Sequence, residues 1–283
     1  MCATCGCTPA EHGGHDHDGH GRPHGEEVTL EQKILAKNDD LARQNRSWLR
    51  ERGILAVNLM SSPGSGKTTL LERTVRELLP VRPVAVLEGD QETALDADRI
   101  RATGAPVVQI NTGTGCHLDA AMVRSALDEL RPAPGSLVFV ENVGNLVCPA
   151  LFDLGEAARV VVMSVPEGDD KPAKYPHMFR TADLVLVNKV DLLPHVTFDL
   201  DRCAERIRRL RRGVRVLAVS ATRGDGLADW YGWLAAVDTG PDQASHRAAH
   251  SRSSSGRTGV EPMTGTREFP VPLRPPEPDR LRR

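Results

Sequence analysis

The chain has 283 residues, a formal net charge of −2, 40% hydrophobic and 26% charged residues. That composition is ordinary for a globular protein and provides for one large domain with tails. The small charge argues against a nucleic-acid partner, and no apolar run reaches the roughly 20 residues that membrane insertion requires.

Residues 1–25, MCATCGCTPAEHGGHDHDGHGRPHG, form the first compositional block. They hold three of the six cysteines and five of the ten histidines, with almost no aliphatic content. Such a segment cannot bury a core and reads as a disordered, metal-binding extension. It lacks the apolar stretch of a secretory signal, so a cytoplasmic location is expected, where thiols act as ligands or core residues before disulfides. Cys2, Cys5 and Cys7 are close enough to wrap one soft or borderline ion. If Met1 is removed, the Cys2 amine is a fourth donor. Three sulfurs and one nitrogen suit square-planar Ni2+ or tetrahedral Zn2+. His12, His15, His17, His20 and His24 add imidazoles that buffer or relay metal.

Residues 26–238 are the folded part. A helix is expected over 30–52, with Leu30, Ile34, Leu35, Leu41, Trp48 and Leu49 sharing an apolar face. Short β-branched runs follow at 54–60, 84–87, 107–110, 137–140, 160–165, 184–187 and 214–219. Each is too short for a lone helix and too continuously apolar for a half-exposed strand, which is how strands buried on both faces read. Helical stretches at 67–79, 118–130, 201–212 and 227–237 separate most of them. The alternation predicts an α/β fold with a doubly wound, mostly parallel sheet of about seven strands. Residues 239–283, rich in Pro, Ser and Arg and without periodicity, read as a disordered tail.

SSPGSGKTT at 61–69 lies between the first strand and a helix, the context a P-loop requires. Gly64 and Gly66 let the backbone approach phosphate, and the amides around Ser65 and Thr69 face the anion. Lys67 reaches the β and γ phosphates and Thr68 holds Mg2+. Ser61 stands where the strict motif has glycine. Glu141 follows the fourth strand at the Walker-B position, and Asp90 follows the second. Each is a candidate to hold Mg2+ or position the attacking water.

Asn188-Lys189-Val190-Asp191 follows the sixth strand. A carboxylate at Asp191 accepts from the N1–H and 2-amino groups of guanine, for which adenine has no match. Lys189 packs over the base and Asn188 ties the loop to the P-loop. A backbone amide of Ser220-Ala221 is expected at guanine O6. GTP is therefore the expected nucleotide.

Cys116-His117 precedes the 118–130 helix, whose terminus is expected to favour a thiolate. Cys148 lies on the loop leaving Glu141, which should respond to a γ-phosphate. Cys203, on a helix without a nearby sequence partner, reads as a core residue. Lys171 or Lys174, in the polar stretch after the fifth strand, is a candidate to reach phosphate across a two-fold interface.

Together, CxxCGC at 2–7, SSPGSGKTTLLE at 61–72, NTGTGCHLDA at 111–120, ENVGNLVCPA at 141–150 and EGDDKPAKYP at 167–176 resemble the HypB family, the nickel-insertion GTPases of nickel–iron hydrogenase maturation. Serine at the first P-loop position is similar to that family. The resemblance covers about residues 1–238. It implies a GTP-dependent homodimer, an N-terminal nickel site, and a second site for Ni2+ or Zn2+ at Cys116, His117 and Cys148. It also implies partners: a HypA-type nickel carrier and a hydrogenase large-subunit precursor. The rival readings are a urease-type nickel GTPase, a P-loop small-molecule kinase, and a non-catalytic metal store. NKxD opposes the kinase, the modest histidine count makes storage secondary, and the Cys2–Cys7 cluster favours HypB over the urease type.

Overall fold

The computed structural model describes residues 24–90, 95–113 and 115–238, with the side chains of the first helix described from residue 32. Cys2, Cys5, Cys7 and the 239–283 tail lie outside the described residues. The elements run α1 (His24–Glu51), β1 (Leu55–Ser61), α2 (Lys67–Leu78), β2 (Val84–Asp90), α3 (Leu95–Arg101), β3 (Val107–Asn111), α4 (Ala120–Leu130), β4 (Leu137–Gly144), β5 (Ala158–Ser164), α5 (Lys171–Lys174), α6 (Pro176–Thr181), β6 (Leu184–Asn188), α7 (Leu200–Leu210), β7 (Arg215–Ala218) and α8 (Leu227–Asp238). The seven strands form one parallel sheet in the order β3-β2-β4-β1-β5-β6-β7.

Side chains alternate across the sheet, so each inner strand feeds two cores. Leu55, Val57 and Leu59 of β1 join Leu70, Leu71 and Val75 of α2 and Trp230 of α8 on one face. The other face holds two clusters. Ala56 packs with Leu49 of α1 and Val123 and Leu127 of α4, while Met60 packs with Phe179 of α6 and Ile207 of α7. Asn58 falls between them, fully buried. Its Nδ2 donates to Glu156 Oε1 at 3.2 Å, and its Oδ1 accepts from Asn142 Nδ2 at 3.3 Å. Satisfied on both sides, this polar seam is tolerable in a core.

Three features depart from the sequence reading. The α1 stripe that packs deepest is Asn38, Ala42, Asn45 and Leu49, whereas Ile34 is 51% exposed. The helix lies over chain ends that need hydrogen bonds. Asn38 accepts from Ala120 N and donates to Asp153 O, and Asn45 donates to Ala120 O and Leu154 O. The helix expected from Leu118 begins at Ala120, because Asp119 caps it by accepting from Met122 N at 2.8 Å. Cys116 therefore lies ahead of the helix, beyond the first turn where its dipole acts. The stretch after β5 contains two short helices, each with a proline in its first turn.

Gly155 shows how tightly α1 seats. Its φ is +89°, and a Cβ there would lie 2.6 Å from Ala42 O. Gly135 shares the left-handed backbone, at φ +76°, but faces open space. Gly135→Ala should cost about 1–2 kcal/mol, the left-handed strain alone. Gly155→Ala should cost about 3 kcal/mol or more. Denaturant unfolding of both variants measures the difference; equal costs would mean that α1 yields without penalty.

Candidate functional site

The loop after β1 turns back through Gly64 at φ +73° and Gly66 at φ +89° before α2 starts at Lys67. Gly66 is irreplaceable on a second count: a Cβ would sit 2.5 Å from Asn188 Nδ2. The loop floors a cavity of about 550 Å³ at the carboxyl ends of β1, β2 and β4, with Glu88, Asp90, Asp96, Arg99 and Lys189 on its walls. Ligands of open parallel sheets gather at that edge.

Behind Lys67 and Thr68, which line the cavity, Glu141 is 1% exposed. Its Oε1 accepts from Lys67 Nζ at 2.7 Å and Thr68 Oγ1 at 2.6 Å. Its Oε2 is buried with no hydrogen-bond partner. Glu88 stands beside it in register, 2% exposed, also with an unpartnered buried Oε2. Burial, then the charges of Glu141 and Asp90, push the Glu88 carboxyl up to about 8. Two orphaned carboxylate oxygens near a threonine hydroxyl are the hard donors that a divalent cation such as Mg2+ takes. Asp90 is half-buried at the rim.

Glu88 and Arg99 are additions to the residues read from sequence. The signal for Glu88 was an acid closing an apolar run, Val84-Ala85-Val86-Leu87-Glu88. Arg99 lies on α3, too short for a periodic signal, and donates to Thr69 Oγ1 at 3.1 Å and to Glu72 at 2.9 Å. The structure also separates the two lysines. Lys171 Nζ lies 3.4 Å from Glu167 Oε2, which accepts a short hydrogen bond from Ser62 Oγ of the phosphate loop. Lys174 is mostly exposed and pairs with Asp170 at 2.7 Å.

The loop after β6 is braced against the phosphate loop. Asn188 Nδ2 donates to Ser65 O at 2.9 Å. Lys189, left-handed at φ +61°, donates from Nζ to Gly64 O at 2.6 Å, so its stem spans the gap between the loops. Asp191 Oδ1 accepts from Ser220 Oγ at 2.6 Å. The amides expected at a base carbonyl are engaged otherwise: Ala221 N donates to Asn188 Oδ1 at 3.0 Å and Ser220 N to Asp225 O at 2.9 Å.

On the opposite face of the sheet, Cys116, His117 and Cys148 bring one ligand atom each within 4.8 Å of one another. The two sulfurs are 2.8 Å apart and not disulfide-bonded, and His117 Nδ1 lies 3.7 Å from Cys116 Sγ. His117 stacks on Phe152 at 3.9 Å. Burial lowers its pKa against the opposing pull of Asp119, which favours the neutral, ligating imidazole. Two thiols and an imidazole suit Ni2+ or Zn2+ and leave a tetrahedral or square-planar ion short of its set. Cys203 is core, as read: it is fully buried against Met163, and burial pushes its thiol up to about 12.

The Glu88 shift has a stability consequence in protein free of nucleotide and Mg2+. The unfolded carboxyl ionises near 4.5 and the folded one near 8. Between those values only the unfolded chain loses the proton, so stability falls as pH rises from 4.5 to 8. Glu88→Gln should therefore raise Tm at pH 8 by roughly 3 °C or more, and by little at pH 5. Equal shifts at both pH values would mean that the buried carboxyl is not their source.

Residues 55–218 match the family described as CobW/HypB/UreG, nucleotide-binding domain. The chain is 56% identical over 207 residues, 73% of its length, to the hydrogenase maturation factor HypB of Azotobacter chroococcum, of which it covers 68%. It superposes on the crystal structure of HypB from Archaeoglobus fulgidus with a TM-score of 0.68 and 39% identity, covering 72% of this chain and 99% of that one. For HypB from Helicobacter pylori in complex with nickel the TM-score is 0.67 and the identity 38%, with 71% and 95% covered. With its nucleotide-pocket geometry, parallel sheet and these likenesses, the chain belongs to the HypB family of hydrogenase maturation factors, within the CobW/HypB/UreG nucleotide-binding group.

Proposed function

We propose that this chain is a GTP-hydrolysing nickel metallochaperone that serves hydrogenase maturation. The observation that carries the reading is the thiol–imidazole cluster, whose Cys148 lies just beyond β4, the strand whose Glu141 accepts from the phosphate-loop lysine. The relatives support it: the Azotobacter protein is a hydrogenase maturation factor, and the Helicobacter structure contains nickel.

In this reading the amides of Gly64, Ser65 and Gly66 and the α2 terminus cradle the phosphates, and Lys67 transfers its hydrogen bond from Glu141 to a phosphate oxygen. Thr68, Glu141 and Glu88 hold Mg2+, which when bound neutralises charge on the leaving phosphates. Asp90, on the rim, orients the attacking water. Asn188 and Lys189 brace the base loop and Asp191 accepts from guanine. Two-fold pairing of GTP-bound chains completes the ligand set begun by Cys116, His117 and Cys148. Lys171, held beside the phosphate loop, rather than Lys174, contributes across that interface. Cys2, Cys5 and Cys7 form the separate N-terminal nickel site. Nickel arrives from a HypA-type carrier and leaves to a hydrogenase large-subunit precursor. No helix among the described residues is long and apolar enough to cross a membrane.

Two measurements test this. Asp191→Asn should lower GTP affinity by about 100-fold or more and admit xanthosine triphosphate, whose 2-oxo group matches an amide donor; equal binding of ATP and GTP by the parent protein would overturn the guanine assignment. With Cys2, Cys5 and Cys7 each changed to alanine, the protein should lose its tight nickel yet keep GTP hydrolysis, and the internal site should then lose its remaining metal on Cys148→Ala. Retention of metal by the combined variant would place the internal site elsewhere.

A further inference from the structure

The two chemistries lie on opposite faces of one sheet, and one residue touches the strand segments that carry the three pocket acids. Leu118, the neighbour of His117, is fully buried. Its amide donates to Asn142 Oδ1 at 3.3 Å, and Asn142 directly follows Glu141. Its side chain lies on Gly89, between Glu88 and Asp90, so closely that a Cβ on that glycine would be 2.9 Å from both Leu118 methyl carbons. Adjacent strand residues point to opposite faces. Glu88, Asp90 and Glu141 therefore face the phosphate pocket, while Gly89 and Asn142 face Leu118. Asn142 is itself held in place: its Oδ1 also accepts from Val143 N at 3.0 Å, and its Nδ2 donates to Asn58.

We propose that Leu118, seated on Gly89 and hydrogen-bonded to Asn142, transmits the state of the phosphate pocket through the sheet to the Cys116–His117–Cys148 cluster. The proposal rests on the nucleotide and metal reading above and assigns positioning roles to residues that touch neither ligand. A phosphate or cation that draws Glu141 or the Glu88–Asp90 segment toward the pocket shifts Asn142 and Gly89 with it. Leu118 and the His117 ring follow. Linkage makes the effect reciprocal, so metal at the cluster alters nucleotide affinity by the same factor.

The experiment uses the full chain with Cys2, Cys5 and Cys7 changed to serine, and Co2+ as the probe, read by its thiolate charge-transfer absorbance. Co2+ affinity is measured with GDP and with a non-hydrolysable GTP analogue. The parent ratio should differ from one by about 5-fold or more. Asn142→Ser should bring that ratio toward one while each ligand still binds alone. Gly89→Ala, which displaces Leu118, should change the ratio, and adding Leu118→Val should restore it even if Asn142→Ser proves too unstable to assay. An unchanged ratio in both Asn142→Ser and Gly89→Ala overturns the proposal. A parent ratio of one with both ligands bound also overturns it and leaves the functional reading standing. A parent that binds no guanine nucleotide, or no Co2+ at Cys148, overturns the reading itself.

Discussion

A carboxylate with 1% exposure must be paired, and Glu141 has two donors for its one engaged oxygen. Lys67 and Thr68 open α2, so this pairing draws the phosphate loop against the end of β4. Around that contact Asn188 and Lys189 reach Ser65 and Gly64 from the other side. The loop is thus held in shape by side chains whose own strands are fixed in the sheet. A ligand that takes over Lys67 and Thr68 exchanges partners for Glu141 instead of ordering a disordered loop, which keeps the entropic cost of binding small.

The second face is organised by amides. Asn38 and Asn45 of α1 bind the start of α4 and the chain at Asp153 and Leu154. Those chain segments lie just beyond His117 and just beyond Phe152, the ring that stacks on it. α1 therefore contributes little oil but fixes the two loops that present the thiols. An unsatisfied buried amide or carbonyl costs about 1–3 kcal/mol, so these asparagines are as selective as core methyl groups.

Much of this was legible in the sequence, for identifiable reasons. Strands buried on both faces leave continuous runs such as Val160-Val161-Val162-Met163, and the inner strands read that way; β3 and β7 were found by the same apolar runs but are the sheet's edges and only partly buried. The phosphate and base loops use residues whose backbone or hydrogen-bonding needs are specific. The meeting of Cys116 with Cys148 was only suggested. It depends on β3 and β4 flanking β2, a strand order that no local pattern encodes. The packed face of α1 was misread because hydrophobic periodicity does not detect buried asparagines. Glu88 escaped because a strand-end acid looks the same whether it is solvated or trapped.

The Asn58 seam has a mechanical meaning. On the face that carries the thiols, the α1/α4 cluster and the α6/α7 cluster meet at Asn142, Asn58 and Glu156 rather than merging into one apolar mass. Hydrogen bonds exchange partners over short displacements, whereas interlocked side chains resist sliding. The halves of the domain are continuous through α2 and α8 on one face and jointed on the other. In amide hydrogen exchange the two should open as separate cooperative units, with the β1 backbone as their common boundary.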